Sequence, residues 1–409
     1  LTDIYIERNR ILDMGLDGIG VVGFWNLRDV DEMISVDRLT IVRNEINRCL
    51  RRQLAPIRAP MLAQMGYGGI ALADVEYLVI RENVIENNGL DFTQPICGIF
   101  VLHGEGIDIT DNRIRNNGAK TREPMSAAKD GARGGIVIVF AIAPAIPTDV
   151  TFLSISLPSA PVQNGVPALR VHDNIVSAPV GQALSAVALG PTSVHANSLT
   201  THGIAVPRGH TTAATFAATV SIVNLGLSNE IYLQLLAFAL LAHIALGLPG
   251  VVETDDAIII PAAGLDDLGI GRLLADGTVQ FTDNQVVLDL LQSGTSVALS
   301  SILIVSLDDV AFADNQCSSN LAADIVLIQA IVLGFTVRVE ANRFTESLVL
   351  ALLSALTYGV ANTTTHNQAT HCIIADASTL ALRTNTPNTI LHPSAFCARA
   401  ANIRGTLNI

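Results

Sequence analysis

The stretches Leu78–Ile85 (LVIRENVI) and Ile107–Ile114 (IDITDNRI) share one pattern. In each, apolar residues occupy alternate positions ahead of an asparagine, and an isoleucine follows two positions after it. Alternation with a period of two is typical of a β-strand, whereas an amphipathic helix would place apolar residues at i, i+3, i+4 and i+7. The pattern therefore predicts a short strand, a bend at the asparagine and a second short strand.

This motif recurs along the chain, which makes it an internal repeat. Successive asparagines of the repeat are 35, 39, 29, 62, 23, 87, 31, 27 and 25 residues apart. The interval of 62 has room for two coils, and the interval of 87 must hold an insertion or several degenerate coils. The aligned asparagines are Asn9, Asn44, Asn83, Asn112, Asn174, Asn197, Asn284, Asn315, Asn342 and Asn367.

Stacking of the repeats explains how such short units become stable. One strand–bend–strand unit cannot bury its apolar face alone, but successive units stacked along an axis bury a continuous core. Asparagine tolerates a left-handed bend, and identical asparagines in stacked coils can form a hydrogen-bonded ladder. Many repeats add a Gly-Ile pair that begins a further strand, as at Gly69-Ile70 and Gly98-Ile99. The predicted fold class is an all-β, right-handed parallel β-helix solenoid with an apolar insertion, which is either partly helical or made of strands.

The run I-x-I-x-x-N-x-I-x-x-N-G followed by Gly-Ile resembles the right-handed parallel β-helix, or pectin-lyase-like, superfamily. The resemblance covers roughly residues 1–204 and 278–375. In members that act on polysaccharides, it implies either an acidic calcium site with an arginine base or paired aspartates. Neither constellation is present, because the motifs N-T-D, G-H-G and R-I-K are missing from the chain. The resemblance thus bears on the fold and leaves the function open.

The repeat also predicts how the chain is organised. Residues 1–204 form the N-terminal coils, with a polar loop at 118–134, and residues 278–375 form the C-terminal coils. Residues 205–277 are an insertion or degenerate coils, and residues 376–409 are a last degenerate coil and a cap. The insertion contains an apolar run at 231–248, which is either a helix or a set of strands. We expect no membrane span there, because a single crossing would separate coils that must stack.

Candidate site residues are few. The densest mixed polar group is His202, Arg208 and His210, whose imidazoles and guanidinium could bind an anion or move protons. No nucleophile or acid can be assigned to them, so the catalytic residues are unknown. His366 and His371 lack zinc-site spacing and are interpreted as stacked or edge histidines.

Aspartates offer no clearer site. The aspartates that precede a ladder asparagine recur with the coil, which favours a structural role over a catalytic one. Three Asp-Asp pairs, at 255–256, 266–267 and 308–309, are interpreted as solvated loop residues. The aspartates of the first group are Asp111, Asp173, Asp283 and Asp314.

Composition narrows the class of function. Charged residues make up 15% of the chain and the net charge is −13, with no basic and aromatic cluster typical of nucleic-acid binding. Five scattered cysteines form no zinc or redox motif, and no phosphate-binding glycine loop occurs, so we expect no metal site and no cofactor.

The favoured hypothesis is a non-catalytic structural or interaction module of a larger bacterial assembly or surface protein. Its partners would be other protein subunits or the rest of a larger chain, in an extracellular, cell-surface or particle-associated setting. The alternative is a polysaccharide lyase, a glycoside hydrolase or a polysaccharide-binding tailspike-like protein. The sequence leans away from an enzyme because the repeat is intact without a recognisable site.

Overall fold

The computed structural model describes residues 1–21, 36–52, 67–90, 95–118, 133–144, 166–178, 181–202, 215–226, 277–290, 298–321, 326–346, 353–369, 373–378, 389–390 and 402–404. Within these ranges the regular secondary structure is entirely β-strand. No helix in the described ranges has the length and apolar character needed to span a membrane. The predicted all-β fold class is confirmed.

The strands follow the chain in a regular order. The first sixteen are β1 (Thr2–Glu7), β2 (Arg10–Leu12), β3 (Ile19–Val21), β4 (Val36–Val42), β5 (Glu45–Asn47), β6 (Tyr67–Glu76), β7 (Val79–Arg81), β8 (Val84–Glu86), β9 (Ile96–Glu105), β10 (Ile107–Thr110), β11 (Arg113–Arg115), β12 (Gly134–Ile142), β13 (Leu169–His172), β14 (Ile175–Ala178), β15 (Gln182–Leu189) and β16 (Thr192–His195). The rest are β17 (Ser198–Thr201), β18 (Thr215–Asn224), β19 (Val279–Thr282), β20 (Gln285–Leu290), β21 (Ala298–Ser306), β22 (Val310–Ala313), β23 (Gln316–Leu321), β24 (Val326–Leu333), β25 (Thr336–Glu340), β26 (Arg343–Glu346), β27 (Leu353–Gly359), β28 (Ala361–Thr365), β29 (Gln368–Ala369), β30 (Ile373–Ser378), β31 (Thr389–Ile390) and β32 (Asn402–Arg404).

Each strand up to β27 pairs in parallel with the strand three places later in the chain, and beyond it β29 pairs with β31 and β30 with β32, so that three ladders of strands run along the axis. Sheet 1 contains the strands before each ladder asparagine, from β1 to β28, and sheet 2 contains those after it, from β2 to β31. Sheet 3 contains the Gly-Ile strands, from β3 to β32. Sheets 1 and 3 are joined where β4 pairs with β6, giving 21 strands, and sheet 2 has 11. This arrangement is a parallel β-helix solenoid, as predicted.

The core is the space enclosed by the three sheets. Alternate residues of each strand point inward, as with Ile107 and Ile109 of β10, and these side chains form one continuous buried cluster. In the C-terminal coils Phe281 and Phe312 stack with ring centroids 5.4 Å apart, and Phe312 and Phe344 with centroids 6.3 Å apart. Stacked aliphatic and aromatic residues of successive coils thus supply the hydrophobic stabilisation.

The predicted asparagine ladder is present along the whole described solenoid. Each asparagine from Asn9 to Asn342 donates from its backbone N–H and from its side-chain Nδ2 to the Oδ1 of the asparagine in the next coil. Between Asn83 and Asn112, for example, both bonds are 3.0 Å long. All ten asparagines are joined in this way, and those from Asn44 to Asn367 are buried.

The left-handed bend lies one residue earlier than the sequence predicted. In each coil the residue before the ladder asparagine has φ near +55°, while the asparagine itself is not among the residues with positive φ. Placing the left-handed residue first turns the asparagine side chain inward, where its amide can bond along the axis. The left-handed residues are Arg8, Arg43, Glu82, Asp111, Asp173, Ala196, Asp283, Asp314, Ala341 and His366.

The two long intervals each contain a single coil. Asn112 bonds directly to Asn174, so the 62-residue interval does not hold two coils. Asn197 bonds directly to Asn284 in the same way. The strand β18, inside the 205–277 segment, pairs with β15 and β21 and completes that coil in sheet 3. The apolar run 231–248 and most of the loop 118–134 lie outside the described residues.

The Gly-Ile pairs have a steric basis. A Cβ atom at Gly69 would lie 2.3 Å from Cγ2 of Ile85, and one at Gly98 would lie 2.2 Å from Cγ2 of Ile114. In both cases the glycine is the third residue of a sheet 3 strand and the isoleucine belongs to sheet 2. The absence of a side chain therefore lets sheet 3 pack closely against sheet 2 at the corner.

Candidate functional site

The structure places one of the three predicted site residues. His202 follows β17, is partly buried, and its Nδ1 lies 2.8 Å from the backbone carbonyl oxygen of Asp289 in the next coil. The same nitrogen lies 4.0 Å from Oδ2 of Asp289, so His202 contacts both the main chain and the side chain of that residue. Arg208 and His210 lie outside the described residues, as does His371. His366 is exposed at the left-handed position before Asn367.

A different pair of histidines comes together on the outer face of sheet 1. His172 ends β13 and His195 ends β16, and the two are register partners in adjacent parallel strands. Their rings stack with centroids 4.8 Å apart and an angle of 11° between planes. Both side chains point outward because the flanking Val171 and Val194 point into the core.

Carboxylates surround His172. Its Nδ1 lies 2.8 Å from Oδ2 of Asp173 and 3.0 Å from the hydroxyl oxygen of Thr110. Its Nε2 lies 3.4 Å from Oδ1 of Asp108, whose Oδ2 lies 3.5 Å from a guanidinium nitrogen of Arg170. The imidazole therefore has a carboxylate beside each of its ring nitrogens.

The local sequence explains why His172 and Asp173 lie on the same side. Successive residues of a strand point to opposite faces, which would separate neighbours in sequence. Asp173 has φ of 56°, so the alternation ends at this residue and its carboxylate returns to the outer side of the corner. Aspartate is among the few side chains that adopt this conformation readily. The aspartate thus forms the bend before Asn174 and also contacts the histidine.

The environment lowers the pKa of His195 below its ordinary value. Burial is the main cause, and the positive charge that His172 can carry acts in the same direction. His195 is therefore a neutral imidazole at pH 7, with a ring nitrogen able to accept a proton or a metal ion. Among the described residues, His172, Asp173 and His195 form a group whose potential ligand atoms all lie within 4.8 Å of one another.

A second His–Asp contact lies in sheet 3. Nδ1 of His103 is 2.5 Å from Oδ1 of Asp74, one coil away, and the side chains are only 13% and 8% exposed. Little of either group is accessible to a substrate, which favours a packing role. The pair belongs to strands β6 and β9 and is a separate cluster from the one on sheet 1.

The interpretation of Asp308 and Asp309 as solvated residues is wrong for Asp308, whereas Asp309 is exposed. Asp308 is buried: its Oδ2 accepts a hydrogen bond from the backbone N–H of Gly277 and its Oδ1 accepts one from that of Asp309. The carboxylate caps two backbone donors that a solvated loop would leave to water. The pairs at 255–256 and 266–267 lie outside the described residues.

The sequence contains a signal for the His172–His195 pair. Both histidines stand two residues before a ladder asparagine, in LRVHDNIV and TSVHANSL, so stacking those asparagines also stacks the histidines.

Comparison with protein-family models, with curated proteins and with solved structures gave no match.

Proposed function

We propose that the chain is a non-catalytic structural or interaction module of the pectin-lyase-like β-helix type, built into a larger bacterial assembly or surface protein. The observation that supports it best is the unbroken asparagine ladder from Asn9 to Asn367. At about 4.8 Å per coil, nine steps give a rod about 43 Å long. Such a rod presents fixed surfaces to a partner without requiring a cleft.

The charged residues of the N-terminal coils support this proposal, because many are paired with each other across coils. Arg43 lies 2.6 Å from a carboxylate oxygen of Glu82, and Arg113 lies 2.7 Å from one of Glu86. Exposed pairs of this kind add little stability, typically below about 1 kcal/mol. These pairs do leave the surface locally neutral. A neutral surface suits contact with another protein better than it suits a groove that binds acidic polymers.

Apolar packing outside the core points the same way. Phe100 and Val137 lie on the opposite face of sheet 3 from the core residues and are register partners. Both are nevertheless buried, together with Cys97. The outer face of sheet 3 is therefore used for packing in these coils. This packing lies within the single chain and adds to the stability of the solenoid, which suits a structural module.

The second candidate is a polysaccharide-active or polysaccharide-binding protein. The observation that favours it is the His172 cluster, where Asp108 and Asp173 stand beside an outward-facing imidazole. Carboxylates and a histidine on adjacent coils are groups that general acid–base chemistry uses.

Two measurements separate the candidates. Light scattering of the chain should give a defined oligomer, and incubation with uronic-acid polymers should give no ultraviolet-absorbing eliminated product and no new reducing ends. A monomer that cleaves such a polymer, and loses cleavage in His172→Ala, would overturn the structural proposal. The control variant for His172→Ala is His366→Asn, which removes an exposed imidazole from the same corner of the solenoid. It should behave as the wild type in both assays.

A further inference from the structure

We infer that His172, His195 and Asp173 form a surface site for one divalent transition-metal ion such as Zn²⁺. These three side chains offer two imidazole nitrogens and one carboxylate oxygen within 4.8 Å of one another. Imidazole ligands suit zinc, copper and nickel, whereas calcium and magnesium prefer oxygen ligands alone. Three protein ligands leave a fourth position for water in a tetrahedral site.

Two of the ligand atoms already stand close to a chelating separation. Ligands at about 2.0–2.1 Å from a tetrahedral ion are about 3.3 Å apart. Nδ1 of His172 and Oδ2 of Asp173 are 2.8 Å apart, so an ion entering between them has to spread them by only about 0.5 Å. The backbone at both residues is held by sheet 1 and by the ladder at Asn174.

The other nitrogen of His172 has the partner that metal-bound histidines usually have. When Nδ1 faces the ion, Nε2 lies 3.4 Å from Oδ1 of Asp108, a buried oxygen that accepts no hydrogen bond in this structure, so a small tilt of the ring lets Nε2–H donate to it. A carboxylate in this position fixes the ring orientation and increases the basicity of the ligating nitrogen. Asp108 is in turn held beside Arg170. The cluster therefore contains an orienting residue as well as ligands.

The third ligand has to move. The rings of His172 and His195 are nearly parallel, with centroids 4.8 Å apart, so the lone pairs in the two ring planes do not converge on one point. Rotation of the His195 ring toward Asp173 brings its nitrogen to the ion, and the side chain is only partly buried, which allows this rotation. Because this rotation costs free energy, we expect a dissociation constant on the order of micromolar.

Isothermal titration of the chelator-treated chain with ZnCl₂ tests the inference. The wild type should bind Zn²⁺ at a site that is lost in His172→Ala and in His195→Ala. Asp108→Asn should retain the site with about tenfold weaker affinity. His366→Asn, which removes another exposed imidazole, should bind as the wild type does. Circular dichroism should show the same fold for all four variants, since each change is on the outer surface.

A second measurement uses the unmodified chain and does not depend on the folding of any variant. In NMR spectra, substoichiometric Zn²⁺ should perturb the imidazole signals of His172 and His195 and leave those of His103 and His202 in place. Titrations with identical stoichiometry and affinity in the wild type and both alanine variants would overturn the inference. So would histidine signals at positions 172 and 195 that do not respond to a stoichiometric excess of zinc.

Discussion

Asn197 and Asn284 are 87 residues apart in the chain, yet the backbone N–H and the Nδ2 of Asn197 each donate to Oδ1 of Asn284 at 3.0 Å. The strands that follow them, β17 and β20, pair in register without an intervening coil. The ladder therefore passes the longest interruption of the repeat without a break.

The interior of the ladder should contribute more stability than its end. Oδ1 of Asn112 accepts two hydrogen bonds from Asn83, and its Nδ2 donates to Oδ1 of Asn174. Asn112→Ala leaves these buried groups unpaired, so we expect the free energy of unfolding in urea to fall by about 2–3 kcal/mol. Asn9→Ala, at the exposed end of the same ladder, should cost less than about 1 kcal/mol. Equal losses in the two variants would show that ladder bonds do not stabilise the interior.

Close packing at the Gly-Ile corner leads to a second prediction, which concerns the stability of glycine variants. A Cβ at Gly98 would lie 2.2 Å from Cγ2 of Ile114 and 2.8 Å from the carbonyl oxygen of Gly135. Gly98→Ala should therefore destabilise the solenoid by about 2 kcal/mol or more, since backbone has to shift. Gly20→Ala is the control, because the nearest atom to its Cβ is the carbonyl oxygen of Ala71 at 3.7 Å. Thermal melts that rank the two variants in the opposite order would contradict this account of the motif.

Much of the fold was predictable from the sequence, because the coil directly determines the periodicity of the apolar side chains. The apolar alternation at Leu78–Ile85 predicted the strands, and the asparagines predicted the axis of stacking. The sequence predicted the left-handed residue one position too late. Asn and Asp both tolerate positive φ, so an Asp-Asn pair does not indicate which of the two residues adopts it. The number of coils in the 62-residue interval was also open, since an insertion and a degenerate coil look alike without pairing information.

The candidate site was the less predictable part. His202 was chosen for its density of polar neighbours in sequence, whereas His172 and His195 are brought together only by stacking. Their identical offset from Asn174 and Asn197 was visible, but its importance depends on which coils are adjacent. Proximity across coils is thus read from the register of the ladder, and local sequence alone does not supply it.

Asp17 should make stability depend on pH near the N-terminal end. Its Oδ1 accepts a hydrogen bond from the backbone N–H of Gly68 at 2.9 Å, and burial raises its pKa from 3.8 to about 6. The Asp17 carboxyl group therefore binds its proton more tightly in the folded state than in the unfolded state. The protonated group contributes fully to the free energy of unfolding below pH 3.8, and this contribution is lost as the pH rises through about 6.

Asp17→Asn keeps an acceptor for Gly68 and removes the buried charge. At pH 8 we expect this variant to raise the free energy of unfolding by about 1 kcal/mol. The gain is this small because the side chain is partly accessible and water screens its charge. At pH 3.5 the variant and the wild type should be equally stable. Urea titrations at the two pH values measure the difference, and a variant less stable than the wild type at pH 8 would contradict the assignment.

His195 should titrate below 6.5. The unfolded state then binds its proton more readily, so stability should fall as the pH falls below 6.5 and be unaffected above it. Burial and the charges of His172 and Arg170 lower the pKa, while Asp173 and Asp283 oppose them. His172→Gln should therefore raise the pKa of His195, as measured by NMR titration of its imidazole signal. A pKa above 6.5 in the wild type, or one unchanged by His172→Gln, would show that the stacked pair is not formed.

The direct stacking of the coils on either side of 203–277 is tested most directly by cross-linking. Ser198 and Gln285 are register partners in β17 and β20. At about 4.8 Å their Cα atoms are within the range that a disulfide spans. Under mild oxidation the Ser198→Cys, Gln285→Cys double variant should form this disulfide, identified by mass spectrometry of proteolytic fragments. Ser198→Cys with Gln316→Cys, two coils and about 9.6 Å apart, should not. A disulfide in the second variant and none in the first would contradict the continuous ladder.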